Sequence, residues 1–152
     1  MSGIVVVSGN PRAGSRTSTL AAAVGTALGG TTDVIEVGAL GAGLLTPGDE
    51  ATAAAVAAVQ DADVLVVATP TYKGSYTGIL KVLLDQLPAN ALAGKKAVPV
   101  TVAGVAPQAA AAAALLAQLL GELGATVLPS LPVVESDLGD AETIAAKYVA
   151  AA

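Results

Sequence analysis

Hydroxyl, amide and guanidinium side chains are concentrated in one short segment, residues 8–20, which reads SGNPRAGSRTSTL. The apolar run Ile4-Val5-Val6-Val7 precedes it, and a segment rich in alanine and leucine follows it. We interpret the run as a buried strand and the later segment as a helix, with the polar residues in the turn between them. Free N–H groups at a helix start, the helix dipole and these donors favour an anion, so the pattern predicts a phosphate-binding loop. A helix cap rich in serine and threonine that binds nothing is the alternative.

A second candidate site follows another apolar strand, at residues 69–78, which read TPTYKGSYTG. Tyr72 and Tyr76 are two of the three aromatic residues in a chain that has no Phe or Trp. Their presence in one loop predicts a surface that binds a ring or another subunit, unless one of them packs into the core. A third segment of small residues, 103–107, leaves room for a planar ligand, although a plain connector would look the same.

Alternating strand and helix patterns along the whole chain must position these segments. Continuous apolar strands between helices predict a parallel sheet covered on both faces: an α/β, three-layer, doubly wound, five-stranded sheet of order 2-1-3-4-5. We expect one domain covering residues 1–152, with the ligand at the carboxyl ends of strands one and three, where the strand order reverses. The predicted strands are residues 4–8, 33–37, 63–68, 97–102 and one within 126–135, and the predicted helices are residues 18–28, 51–60, 77–87, 108–123 and 140–151.

Three local features refine this scheme. Residues 38–49 are expected to form a loop, and Asp140 is the expected N-cap of the last helix. The fifth strand is expected to be broken near Pro129 and Pro132, since proline lacks the N–H that a strand needs. Lys81 and Asp85 are spaced to pair across one helical turn.

The overall composition narrows the classes of function. The 152 residues carry a formal net charge of −5 without a basic run, which argues against a nucleic-acid partner. Cys and His are absent, so thiolate chemistry and the commonest general base are excluded. We find no signal peptide and no apolar stretch long enough for a bilayer, and we expect a cytoplasmic protein without a membrane partner. Small side chains bury little area each, so we also expect self-association to add stability.

Two of these segments together carry a resemblance to a known family. Residues 9–20, from Gly9-Asn10-Pro11-Arg12 onward, are followed at the right separation by residues 70–85, PTYKGSYTGILKVLLD. This combination resembles the NAD(P)H-dependent FMN reductases of the flavodoxin-like fold, and is most similar to the small reductases that supply reduced flavin to two-component monooxygenases. The resemblance extends over about residues 4–135 and implies a flavodoxin-like, FMN-binding domain.

The resemblance also implies site residues. The phosphate loop of the family corresponds to Asn10, Arg12, Ser15, Thr17, Ser18 and Thr19. Its isoalloxazine-contacting loop corresponds to Pro70, Thr71, Tyr72 and Lys73, and Gly104 matches the loop after the fourth strand. Backbone N–H groups around Tyr72 and Gly104 would bind the polar edge of the ring, and no side chain is assigned as a catalytic proton donor.

The implied activity is hydride transfer from NADPH or NADH to FMN. The reduced flavin would then pass to a partner monooxygenase or serve a quinone-like acceptor, and the implied assembly is a homodimer or homotetramer. The absence of His, Cys and acidic residues from the three segments fits an enzyme whose cofactor supplies the reactivity. The alternative is a non-enzymatic, flavodoxin-like electron carrier or a degenerate flavin-binding module, and oxidation of a nicotinamide in the presence of FMN distinguishes the two.

Overall fold

The computed structural model describes residues 3–152, along which strands and helices alternate. The strands are β1 (Ile4–Ser8), β2 (Ile35–Glu36), β3 (Val64–Pro70), β4 (Lys96–Ala103), β5 (Thr126–Val127) and β6 (Leu131–Val134). The α-helices are α1 (Arg16–Ala27), α2 (Val37–Leu40), α3 (Glu50–Asp61), α4 (Gly78–Asp85), α5 (Ala106–Glu122) and α6 (Ala141–Ala151), and the 3-10 helices are Gly41–Leu45 and Glu135–Asp140. No helix of residues 3–152 combines the length and the apolar character that crossing a membrane requires.

The strands form one parallel sheet of order β2-β1-β3-β4-β5, which is the order predicted from the sequence, and β6 also pairs with β4. The register places Ser8 of β1 beside Ala68 of β3, and Thr69 of β3 beside Thr101 of β4. The carboxyl ends of these three central strands therefore meet at one edge of the sheet, which is where such folds bind ligands.

An apolar layer covers each face of the sheet. Val6 and Val66 pack in the layer that contains α1 and α6, whereas Val7 and Val67 pack in the layer that contains α3, α4 and α5. All four valines are buried, because successive side chains of a strand point to opposite faces and both faces are covered. This double burial explains why the central strands are apolar at nearly every position.

Polar caps and glycines set the ends of the helices. Ser15, Asp49 and Thr77 begin α1, α3 and α4, and each side chain accepts a hydrogen bond from the backbone N–H three residues later. Gly29 and Gly124 follow α1 and α5 with φ angles of 99° and 100°, which only glycine adopts without strain. These N-cap residues and helix-terminating glycines are the local signals from which helix ends are predicted in a sequence.

The second strand is much shorter than the predicted 33–37. Only Ile35 and Glu36 pair with β1, and Val37 already begins α2. The predicted loop 38–49 was also wrong in part, since it contains most of α2 and a 3-10 helix. The chain turns here because Gly38 packs directly on the carbonyl oxygen of Pro11, at a distance that leaves no room for a Cβ.

The start of α1, the break in the last strand and the N-cap of α6 were also predicted from the sequence. Helix α1 begins at Arg16, two residues before the predicted start, because Ser15 is its cap. The expected break near Pro129 and Pro132 is confirmed, since β5 and β6 are separate segments on the same neighbour. Asp140 is the N-cap residue of α6, as predicted, but its side chain accepts no backbone N–H there, and a 3-10 helix leads directly into α6.

Candidate functional site

Three loops meet at the carboxyl edge of the sheet, as the sequence predicted. The first loop, residues 9–15, joins β1 to α1; the second, residues 71–77, joins β3 to α4; the third, residues 104–105, joins β4 to α5. The hydroxyl of Thr77 donates a hydrogen bond to the carbonyl of Gly9 at 2.7 Å. The first two loops are therefore tied together by a buried contact across the point where the strand order reverses.

A small polar pocket opens between the first two loops. Its volume is about 130 Å³, whereas sites that enclose a whole drug-sized ligand have roughly 300–1,000 Å³. The pocket therefore accommodates one end of a larger ligand, and the remainder must lie outside it along the edge of the sheet. The residues that line it are Asn10, Arg12, Ser15, Arg16, Thr17, Pro70, Tyr72, Val102, Glu135 and Leu138.

Most of the site residues predicted from the sequence come together here. Those that line the pocket are Asn10, Arg12, Ser15, Thr17, Pro70 and Tyr72. Thr71 and Lys73 belong to the second loop and Gly104 to the third. Ser18 and Thr19 are placed elsewhere: Ser18 is buried beneath the first loop, and Thr19 lies on the exposed side of α1, where it lines a different cavity.

The amide of Asn10 shapes the first loop. Its Nδ2 donates to the Thr17 hydroxyl at 3.2 Å, and its Oδ1 accepts the backbone N–H of Arg12 at 2.9 Å. Asparagine is favoured in turns because its side chain bonds the backbone two residues on, as it does here. Asn10 thereby fixes the course of the loop from which the Arg12 side chain extends.

A carboxylate lies beneath the first loop. Glu36, the last residue of β2, accepts the Gly14 backbone N–H at 2.9 Å and the Ser18 hydroxyl at 2.6 Å. The Ser18 oxygen is also 2.9 Å from the Ser8 oxygen and 3.2 Å from the Ser15 oxygen. The hydroxyl of Ser18 is therefore engaged inside the protein, whereas that of Ser15 lies at the wall of the pocket.

Two guanidinium groups supply the positive charge of the site. Arg12 and Arg16 are exposed and both line the pocket, and Arg16 is the first residue of α1. Within residues 3–152 the one salt bridge joins Lys81 to Asp85 at 2.7 Å, as predicted, and it involves neither arginine. The hydrogen bond to Asp85 raises the pKa of the Lys81 ammonium. Both arginines are consequently free to bind an anion, next to a helix N-terminus that favours one.

The second loop contains a tight turn. Tyr72 and Ser75 exchange backbone hydrogen bonds at 2.9 and 3.2 Å, and the two residues between them, Lys73 and Gly74, have φ angles of 53° and 80°. The backbone N–H of Tyr72 is used by this turn and is not available to a ligand. The side chain of Tyr72 is 49% exposed, whereas Tyr76 packs against the core. The alternative that one tyrosine is a core residue therefore holds for Tyr76 and not for Tyr72.

Two threonines of the second loop differ in how their hydroxyls are satisfied. The Thr69 hydroxyl, at the end of β3, donates to the Pro70 carbonyl at 2.7 Å and accepts the Thr77 N–H at 3.1 Å. The Thr71 hydroxyl oxygen is buried and has no partner, the one such side-chain atom among the residues described. A buried polar atom without a partner is costly, so it marks a place where a ligand or water completes the structure.

The third loop leaves open space. A Cβ added at Gly104 would meet no atom within 4 Å, so packing within the chain does not require glycine there. Val105 beside it is 52% exposed, and Val102, at the end of β4, lines the pocket. The expectation that this loop leaves room for a planar ligand fits the geometry.

Three charged residues in or beneath the pocket were not singled out as site residues in the sequence. Arg16 was noted only as part of the polar segment, and its role follows from its place at the start of α1. Glu36 could have been found from its position at the carboxyl end of the predicted second strand, since that end shares the ligand edge. Glu135 also lines the pocket, but its distance in sequence from the first loop gave no signal.

Larger cavities lie away from the three loops, and two of them approach 500 Å³. The larger, about 490 Å³ between the 41–49 segment and helices α3 and α4, includes the carboxylates Asp49 and Asp85. The other, about 480 Å³, is lined mainly by alanines of α1 and by the start of α6. Neither offers a cluster of cationic and N–H donors, so the smaller pocket is the candidate anion site. Among residues 3–152 no group of three acidic side chains is placed to hold a metal ion.

The chain matches known proteins in both sequence and structure. The model of the family described as NADPH-dependent FMN reductase matches residues 3–138. The FMN reductase (NADPH) of Escherichia coli (strain K12) is 54% identical over 46 residues, and the protein of the same name from Pseudomonas putida is 52% identical over 46 residues. Each match covers 30% of this chain but only 24% and 23% of those relatives, so the matched segment spans about a quarter of their length.

Solved structures resemble the whole chain. The apo form of an NADH:FMN oxidoreductase (EMOB) is 34% identical with a TM-score of 0.80, covering 97% of this chain and 88% of that one. An oxidoreductase from Corynebacterium diphtheriae is 25% identical with a TM-score of 0.77, covering 99% of this chain and 96% of that one. Because the family model matches residues 3–138, the chain belongs to the NADPH-dependent FMN reductase family.

Proposed function

We propose that the chain is an NAD(P)H-dependent FMN reductase that transfers a hydride from NADPH or NADH to bound FMN. The observation that carries the proposal is the pocket itself: two unpaired guanidinium groups and a helix N-terminus at the carboxyl edge, with space for only one end of a ligand. The names of the relatives support it, since they include FMN reductases that use NADPH and an NADH:FMN oxidoreductase.

The residues present fit FMN at both of its ends. A phosphate group matches a pocket whose donors are Arg12, Arg16 and the N-terminus of α1. The buried, unpartnered Thr71 hydroxyl and the open space at Gly104 lie in the two loops that would receive the ring. When bound, FMN supplies the hydride-accepting chemistry that no side chain of this protein provides.

The roles of the chain are to bind and to orient. We assign the phosphate to Arg12, Arg16, Ser15 and Thr17, with Asn10 holding the loop in shape. Ser18 supports the same loop from inside, and Thr19 is retained only as a neighbour on α1. We assign the ring to Pro70, Thr71, Tyr72 and Lys73 on one side and to Gly104 on the other. Because the Tyr72 N–H is used by its own turn, the ring-binding N–H groups must come from other positions of these loops.

Exposed apolar side chains support the proposal that the protein is a homodimer or homotetramer. Leu45, Tyr72, Val105 and Leu115 are 78%, 49%, 52% and 42% exposed, respectively. A second subunit would cover some of this surface, which water does not solvate favourably. Sedimentation equilibrium measures the assembly, and a single 14.5 kDa species at micromolar concentration contradicts self-association.

We further propose that the protein acts in the cytoplasm and delivers its electrons to a partner monooxygenase or to a quinone-like acceptor.

A turnover assay tests the activity. Purified protein is mixed with FMN and either NADPH or NADH, and the absorbance of the reduced nicotinamide is followed. Oxidation that depends on both protein and FMN supports the reductase. FMN binding without oxidation of either nicotinamide favours the electron carrier or the degenerate flavin-binding module instead.

A further inference from the structure

We propose that Glu36 is a positioning residue that holds the first loop in its anion-accepting form and thereby sets the preference of the site for FMN over riboflavin. Riboflavin has the same ring and sugar chain but no phosphate. The proposal rests on the proposed function, because it concerns the phosphate end of the same site. It adds a specificity-determining role for a residue that does not itself line the pocket.

A hydrogen bond, and not packing, holds the first loop in place at Gly14. Gly14 is exposed and has a φ of 69°, and a Cβ added there would meet no atom within 4 Å. Packing therefore does not fix this part of the loop. The hydrogen bond from the Gly14 N–H to Glu36 Oε2, at 2.9 Å, links it to the sheet.

Glu36 also determines where the hydrogen of the Ser18 hydroxyl points. A carboxylate only accepts, so the short 2.6 Å contact from Ser18 to Glu36 Oε1 uses the single hydrogen of the Ser18 hydroxyl. The Ser18 hydroxyl is also 2.9 Å from the Ser8 oxygen, but its single hydrogen cannot serve both acceptors at once, and the contact to the carboxylate is the shorter. Ser15 accepts the Ser18 backbone N–H at 3.2 Å, which leaves the hydrogen of Ser15 able to turn toward the pocket that it lines.

The contacts of Glu36 lie at the phosphate end of the site and not at its ring end. Glu36 contacts the first loop and α1, whereas the ring is assigned to the second and third loops. Loss of the Glu36 contacts frees the Gly14 N–H and the Ser18 hydroxyl, so the first loop is no longer tied to β2 through these two hydrogen bonds. Phosphate binding is then weakened, whereas binding of the ring, which is assigned to other loops, is unchanged.

The test measures the affinities of FMN and riboflavin separately. Dissociation constants are obtained from quenching of flavin fluorescence for the wild type, Glu36→Ala and Glu36→Gln. We expect Glu36→Ala to weaken FMN binding by about tenfold or more, the scale of a lost hydrogen bond to a charged group, and to leave riboflavin binding within a factor of about two. Glu36→Gln keeps one acceptor oxygen and gives a smaller loss for FMN in the same direction.

Two controls separate positioning from general damage. Asp33→Asn removes the same charge three residues earlier in the chain, where Asp33 is exposed, and should leave both affinities unchanged. Amide hydrogen exchange should show a faster Gly14 amide in Glu36→Ala but unchanged protection in β1, which establishes that the variant is folded. If Glu36→Ala does not fold, the comparison of the two flavins in Glu36→Gln carries the test.

Each outcome decides one claim. The role of Glu36 is overturned if the wild type binds FMN and Glu36→Ala binds FMN equally well. It is also overturned if Glu36→Ala loses affinity for FMN and riboflavin to the same extent. Both results leave the proposed function standing. Wild-type protein that binds no FMN overturns the proposed function and this proposal together.

Discussion

At the scale of single residues, the hydroxyls of the first loop are not equivalent even though the sequence lists them side by side. Ser15 caps α1 and lines the pocket, Ser18 donates inward to Glu36, and Thr19 lies on the outer side of the helix. A helix turns by about 100° per residue, so consecutive hydroxyls necessarily point in different directions. We therefore expect the arginines, rather than the whole run of hydroxyls, to be the main partners of the ligand.

Replacing Arg12 tests the assignment of the phosphate. Arg12→Ala should weaken FMN binding by about 1.5–3 kcal/mol, because it removes a charge-assisted hydrogen bond. Riboflavin binding should change little. Lys147→Ala, which removes an exposed positive charge on α6, is the matched control, and fluorescence titration is the measurement. Arg12→Ala with the FMN affinity of the wild type would remove Arg12 from the site.

The backbone of Lys73 has a positive φ, which is unfavourable for a residue other than glycine, asparagine or aspartate. Its φ of 53° costs about 1 kcal/mol for a side chain of this kind, and Asn-Gly is the preferred pair in such two-residue turns. Lys73→Asn should therefore raise the free energy of unfolding by up to about 1 kcal/mol in urea denaturation. Lys73→Ala should give no such gain. A gain of equal size in both variants would show that loss of the lysine side chain, and not relief of backbone strain, is responsible.

At the scale of elements, the site depends on a strand that the sequence pattern predicted too long and on a short helix that it did not reveal. The two-residue strand β2 places Glu36 below the first loop, and α2 brings Gly38 against the carbonyl of Pro11. Hydrophobic periodicity detects long elements, because it needs several turns or several alternations to show. Elements of two and four residues are fixed by contacts with distant parts of the chain instead.

Gly38→Ala tests the contact between α2 and the first loop. A methyl group at this position would collide with the carbonyl oxygen of Pro11, so the loop must move. We expect a loss of about 1–3 kcal/mol in the free energy of unfolding, the usual cost of overpacking, together with weaker FMN binding. Gly139→Ala is the control, since a Cβ there meets no atom within 4 Å. Unchanged stability in Gly38→Ala contradicts the tight contact.

Tyr148→Phe tests how α6 is attached to the broken edge of the sheet. The Tyr148 hydroxyl donates to the Pro129 carbonyl at 2.6 Å, so its removal should cost about 0.5–1.5 kcal/mol. Burial raises the pKa of this hydroxyl above its ordinary value. The folded state thus holds the proton more tightly than the unfolded state, and stability falls as the pH rises through about 10. Urea denaturation against pH should show a shallower alkaline fall in Tyr148→Phe, and an identical slope contradicts this account.

At the scale of the whole molecule, the sequence predicted the architecture well and the side-chain geometry only in part. Apolar strands, helix-ending glycines and proline breaks are local signals, and the strand order and the meeting of three loops follow from them. The direction of the Ser18 hydroxyl, the course of residues 37–45 and the presence of Glu135 in the same pocket as Arg12 depend on contacts between distant residues. No local pattern encodes such contacts, which is why these features became visible only in the folded chain.

The central claim is that the polar pocket beside the first loop binds the phosphate of FMN while the ring lies against the second loop. A crystal structure of the protein with FMN tests this claim most directly. We predict the phosphate within hydrogen-bonding distance of Arg12 and the Ser15 hydroxyl, and the ring in contact with Tyr72. FMN bound at another place on the molecule, or a pocket that stays closed at saturating FMN, contradicts the account.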